Sequence, residues 1–171
     1  PGWYSAPLFA GRGCQVKLHS AMVTLNAVNE VALRASEEVL GHYLARDTWV
    51  GEKADGSPVT GADLAAEAII QSGLQRLDDT IPYVSEECEL PTYTARRKWT
   101  RYWLVDPLDG TKEFIRRTGE FTVNIAMIEH GEPVLGVVVA PALGSLYFAR
   151  MGEGAWKRQD KGELERLQST L

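Results

Sequence analysis

The chain has 171 residues, 44% of them apolar and 24% charged, which is ordinary globular composition for one domain with a substantial core. Its net charge of −5 argues against a surface for nucleic-acid polymers, and no apolar run is long enough for an integral membrane segment. The only cysteines, Cys14 and Cys88, make no disulfide framework, so a reducing cytoplasm is the expected location.

In chain order, residues 1–21 have neither a coherent apolar stretch nor a leading basic patch, which disfavours a signal peptide. Leu25, Val28, Ala32, Val39, Leu40 and Tyr43 recur near helical spacing and predict an amphipathic helix over 23–46. Residues 51–61, with Gly56 and Pro58, read as a loop. A second helix is expected from about Ala62, with Ala66, Ile69, Ile70, Leu74 and Leu77 on its apolar side, ending by Thr80 ahead of Pro82. Ile81-Pro82-Tyr83-Val84 is a short β-type run, and it delivers Ser85-Glu86-Glu87 at its end. From Tyr102 onward the pattern is mostly β, with strands at 103–105, 121–129, 134–140 and 145–149. The turns His130-Gly131-Glu132 and Pro141-Ala142-Leu143-Gly144 favour antiparallel neighbours. The expected fold class is α+β, two helices packed on an antiparallel sheet. His19, His42 and His130 lack ligand spacing and read as surface or structural.

The chemistry concentrates in Trp103-Leu-Val-Asp106-Pro107-Leu108-Asp109-Gly110-Thr111-Lys112-Glu113-Phe114. An apolar strand end, an extended Asp106 ahead of proline and a helix opening at Gly110-Thr111 bring Asp106, Asp109 and the Leu108 carbonyl to one tight turn. Such oxygens suit a hard divalent cation, and the first amides of the helix suit phosphate. A plain surface turn uses the same residue types, and Glu86-Glu87 taken alone is equally a solvated acidic pair. The apolar strand before, the helix after and the second acidic cluster favour the site.

Taken with Pro58-Val59-Thr60-Gly61-Ala62-Asp63 and Ser85-Glu86-Glu87, this segment resembles the Mg²⁺-dependent, lithium-sensitive phosphatases of the inositol monophosphatase superfamily. Lys112-Glu113-Phe114, residues 120–126 and residues 136–141 resemble its bacterial 3'(2'),5'-bisphosphate nucleotidase branch rather than the inositol-type members. The resemblance runs from about Leu25 to Lys157 and implies the N-terminal half of the sugar-phosphatase fold. It divides the chain into a non-family extension at 1–21, a metal and phosphate domain at 22–158, and at 159–171 the start of a connection to a second domain. No Trp-Asp-x-Ala-Ala-Gly-like motif occurs between Trp156 and Leu171, so the chain is expected to be truncated, with residues 1–21 an upstream read-through or added segment.

The resemblance further implies roles. Glu86 and Asp106 hold one Mg²⁺ with help from the Leu108 carbonyl, Asp106 and Asp109 share a second, and Glu87 contributes through water. Asp63 and Thr111 activate the attacking water, and Gly110 and Thr111 bind the substrate phosphate. The implied substrate is a small phosphorylated nucleotide, adenosine 3',5'-bisphosphate, cleaved to AMP and phosphate in sulfur assimilation. The location implied is cytoplasmic, at most peripheral to the inner membrane. Read locally, Asp63 is also the third residue of a helix capping box, and both roles stay open. Lys112 is either a second-phosphate anchor or a solvated first-turn lysine, and Lys53 either closes over the metals or is a mobile surface lysine. An inositol- or sugar-phosphate phosphatase, or an inactive Mg²⁺- and phosphate-binding fragment, remains the alternative.

Overall fold

The computed structural model describes residues 17–45, 49–53 and 56–168, with side chains from Leu25 onward. The α+β class expected from the sequence is the one observed. Helix α1 spans Lys17–Ala45, six residues earlier than its pattern of apolar spacing suggests, and places Leu25, Val28, Ala32, Ala35 and Val39 in the core. Helix α2, Gly61–Leu77, packs alongside it through Ala62, Ala66, Ile70 and Leu74. The two helices approach closely because Gly73 has no side chain. A Cβ there would stand 2.7 Å and 2.8 Å from the methyls of Val31.

Both helices lie on one face of a seven-stranded sheet. Its strands are β3 (Tyr83–Ser85), β4 (Arg101–Asp109), β5 (Thr122–Glu129), β6 (Glu132–Ala140), β7 (Ser145–Arg150), β8 (Gly154–Gln159) and β9 (Leu164–Leu167), in that spatial order. Alternate residues face the helices: Trp103 and Val105, Val123 and Ile125, Val137 and Val139, Leu146 and Phe148 are all buried. Their neighbours Leu104, Val138 and Tyr147 are exposed on the opposite face.

Three features differ from the sequence expectation. The sheet is antiparallel except for β3 and β4, which pair in parallel. A parallel partner requires a crossover, and residues 86–100 supply it, including the short helix α3 at Tyr93–Arg96. The expected loop over 51–61 is a hairpin, β1 (Val50–Glu52) paired antiparallel with β2 (Pro58–Thr60). The sheet also continues through β8 and β9, so part of the segment read as a connection, 159–171, is strand paired with β8. The turn at His130-Gly131 is a hairpin as expected, with both residues at positive φ, 52° and 85°.

Candidate active site

The site lies where β3 and β4 end and α2 and α4 (Thr111–Arg116) begin. Asp106 and Asp109 do not flank a free turn. Both belong to β4, and a register shift between them against Asn124 and Thr122 of β5 turns the intervening Pro107 and Leu108 out of regular pairing. Asp109 accepts from the Asn124 amide at 3.4 Å. Gly110 then reverses the chain into α4 with φ 93°, and a Cβ at this point would lie 2.8 Å from the Glu120 carbonyl oxygen. Only glycine fits both the conformation and the space.

Asp63 is fully buried at the start of α2. One carboxylate oxygen, Oδ2, accepts from the Thr60 backbone N–H at 2.7 Å and from the Thr60 hydroxyl at 2.5 Å, completing a capping box. The other, Oδ1, accepts from Thr111 Oγ1 at 3.1 Å, across 48 residues of sequence. Cap and long-range contact therefore coexist on one carboxylate. Thr111 Oγ1 also lies 3.2 Å from the Leu108 carbonyl, so its single hydrogen is shared between two acceptors while its lone pairs stay available.

Glu86 follows β3, its backbone N–H donating to the Val105 carbonyl at 3.3 Å, so the acidic pair is tied to β4. Burial, reinforced by the nearby charges of Glu86 and Asp109, pushes the Asp106 carboxyl up to about 7. Burial and like charge both penalise the ionised carboxylate here. Among the described residues, no three His, Cys, Asp or Glu side chains yet surround one point closely enough to hold a metal ion. The donor set, carboxylates and a carbonyl, nevertheless fits a hard cation, and its mutual repulsion is what such a charge relieves.

Two further groups join this end of the sheet: Lys53, which the sequence reading left open, and Glu67, which it missed. Lys53, between β1 and β2, is not a mobile surface lysine: its Nζ lies 2.7 Å from Glu86 Oε1 and 2.8 Å from Glu87 Oε1. Burial pulls the ammonium pKa down, but the hydrogen bonds and charges of the two glutamates outweigh it and hold it above the ordinary lysine value. Burial raises the Glu87 carboxyl pKa, and Lys53 offsets part of that rise. Glu67, one turn after Asp63 on α2, accepts from the Ser85 hydroxyl at 2.6 Å, the Tyr83 hydroxyl at 3.0 Å and the Cys88 thiol at 3.0 Å. It anchors the acidic loop from inside. The available signal was an acidic residue in the buried stripe Asp63, Glu67, Ile70, Leu74. Burial and Glu67 push the Cys88 thiol up to about 11, so it is a poor nucleophile. Lys112 is exposed. His42 is half-buried beside Glu38, with its ring against Gly61 at the start of α2, and His130 sits in the β5–β6 turn; Cys14 and the His19 side chain lie outside the described residues.

Strand-end carboxylates, a buried aspartate holding a threonine hydroxyl and a glycine-led helix start gather oxygen donors at one end of the sheet. A model of the inositol monophosphatase family matches residues 21–170, and the chain belongs to that family. It is 50% identical over 136 residues to the 3'(2'),5'-bisphosphate nucleotidase CysQ of Escherichia coli K12, covering 79% of this chain and 54% of the relative. The chain thus spans about half the length of the curated relatives it matches. Among solved structures it is similar to CysQ from Bacteroides thetaiotaomicron, described as a bacterial member of the inositol monophosphatase family, with TM-score 0.69, 37% identity and 87% and 59% of the two chains covered. It is also similar to the Thermotoga maritima IMPase, with TM-score 0.71, 29% identity and 83% and 52% covered.

Proposed function

We propose that the chain forms the metal- and phosphate-binding half of a Mg²⁺-dependent phosphomonoesterase, a 3'(2'),5'-bisphosphate nucleotidase that converts adenosine 3',5'-bisphosphate to AMP and phosphate. The observation that carries the reading is the hydrogen bond from Thr111 to the buried Asp63, beside the crowded carboxylates of β4. A hydroxyl that donates to a carboxylate can accept from a water molecule, so the pair orients that water and takes its proton as it attacks phosphorus. The ester P–O bond breaks, and the departing alkoxide takes up a proton from solvent.

Glu86, Asp106, Asp109 and the Leu108 carbonyl are the residues to hold Mg²⁺. The bound ion would neutralise charge on the phosphoryl oxygens and on the leaving group. Gly110 and Thr111 offer backbone amides to the phosphate at the start of α4. Asp63 is kept in place by Thr60, so the orientation of the water is built in before substrate arrives. The 50% identity to an E. coli CysQ favours the nucleotide ester. The likeness to a Thermotoga IMPase favours the second reading, an inositol-phosphate phosphatase.

A family-length protein containing this chain is expected to give a higher kcat/KM for adenosine 3',5'-bisphosphate than for inositol 1-phosphate at saturating Mg²⁺. Preference for the inositol ester would reject the nucleotidase assignment. Asp63→Asn, which keeps a cap acceptor but removes the base, should lose turnover with little change in KM.

A further inference from the structure

We propose that Lys53 is a tethered counter-cation: its ammonium occupies Glu86 in the metal-free chain, and a divalent ion must displace it from that carboxylate while Lys53 keeps its hold on Glu87. The inference rests on the reading of Glu86 as a metal ligand. Three observations carry it. The ammonium contacts both glutamates at once, at 2.7 Å and 2.8 Å, so it neutralises a pair of like charges that share one turn. The two halves of that contact are unequal, because the Glu87 side chain is 5% exposed and that of Glu86 is 53% exposed. The Lys53 backbone is itself fixed, donating to the Ser57 carbonyl at 2.8 Å and accepting from Gly56 at 2.9 Å, so the side chain is delivered to the acidic loop.

Chemistry then sets the order of exchange. An ion pair open to water on one side is worth little, whereas the half covered by protein is screened less. A doubly charged hard ion therefore outcompetes the ammonium at Glu86 before Glu87. The lysine prevents repulsion from springing the acidic loop apart when no metal is present, and in return it weakens metal binding.

Calorimetric titration of Mg²⁺ into the 171-residue chain, without phosphate, tests the exchange. Lys53→Met should bind Mg²⁺ about tenfold more tightly than the parent chain. Lys53→Arg, which keeps the charge in a fork suited to carboxylates, should bind no more tightly than the parent, and it reads the same exchange should the methionine variant fold poorly. Lys112→Met removes the same charge from an exposed lysine of α4 and should change affinity by no more than about twofold. Unchanged or weaker binding by Lys53→Met, tighter binding by Lys53→Arg, or an equal gain in Lys112→Met would each overturn the proposal. Glu86→Gln separates the two readings. If it binds like the parent, the metal assignment fails and takes the lysine inference with it. If it binds more weakly while Lys53→Met is unchanged, only the lysine inference fails.

Discussion

Asp106 is the residue at which electrostatics and function pull in opposite directions. Its carboxyl pKa, ordinarily 3.8, rises to about 7 through burial and the charges of Glu86 and Asp109. Between those two values the folded chain holds a proton that the unfolded chain has released, so the contribution to stability is full below about pH 4 and is lost as pH rises toward 7. Asp106→Asn removes that penalty. In the metal-free chain it should melt about 2–4 °C above the parent at pH 8 and show no gain near pH 4, as read by circular dichroism. The same substitution in a family-length protein should lower turnover at least about a hundredfold. Near-normal turnover at limiting Mg²⁺ would reject Asp106 as a ligand. The closeness of Asp106, Asp109, Gly110 and Thr111 was legible because they follow one another at a strand end, although Asp106 and Asp109 lie within β4 rather than flanking a turn. Lys53 and Glu67 were harder to read, since their partners lie 33 and 18 residues away and meet them only through the β1–β2 turn and the packing of α2.

At the level of elements, the site depends on how closely α1 and α2 pack, because α2 carries both Asp63 and Glu67. Gly73→Ala would gain helix propensity worth about 1 kcal/mol but forces a Cβ against the stiff, β-branched Val31, an overpacking cost of about 1–3 kcal/mol. The expected net is a melting temperature lower by about 2–4 °C. An unchanged or raised value would mean that α1 shifts freely. The helices and central strands were readable from spacing alone, since Val123, Ile125, Val137 and Val139 alternate cleanly. The β1–β2 hairpin was not, because three-residue strands around glycine and proline carry no periodicity. Strand β9, Leu-Glu-Arg-Leu, was equally silent: as the last strand of the sheet it buries little and keeps its charges outward.

For the whole molecule, one face of the sheet is covered by helices, and among the described residues no helix packs on the other, where Leu104, Val138 and Tyr147 are exposed. On the open side a groove of about 510 Å³ runs past Leu90, Leu104 and Val138 to Asp106 and Glu86. The chain on its own should bind Mg²⁺ weakly and turn over little adenosine 3',5'-bisphosphate. Extending it to family length should raise kcat, because substrate alignment and metal neutralisation both contribute to phosphoryl transfer. Equal kcat for the two lengths, measured by phosphate release, would show that this half suffices.

From β4 to β9 every strand of the sheet lies beside the one that precedes it in the chain. During synthesis, each new strand leaving the ribosome therefore finds its partner already present, a few residues upstream. Pairings of this kind close short loops and keep contact order low. The exception is β3, whose parallel partner β4 arrives after a crossover of fifteen residues, 86–100. The acidic loop sits on that crossover, so within the sheet the end that carries Glu86 and Glu87 is the part whose pairing waits longest for its neighbour.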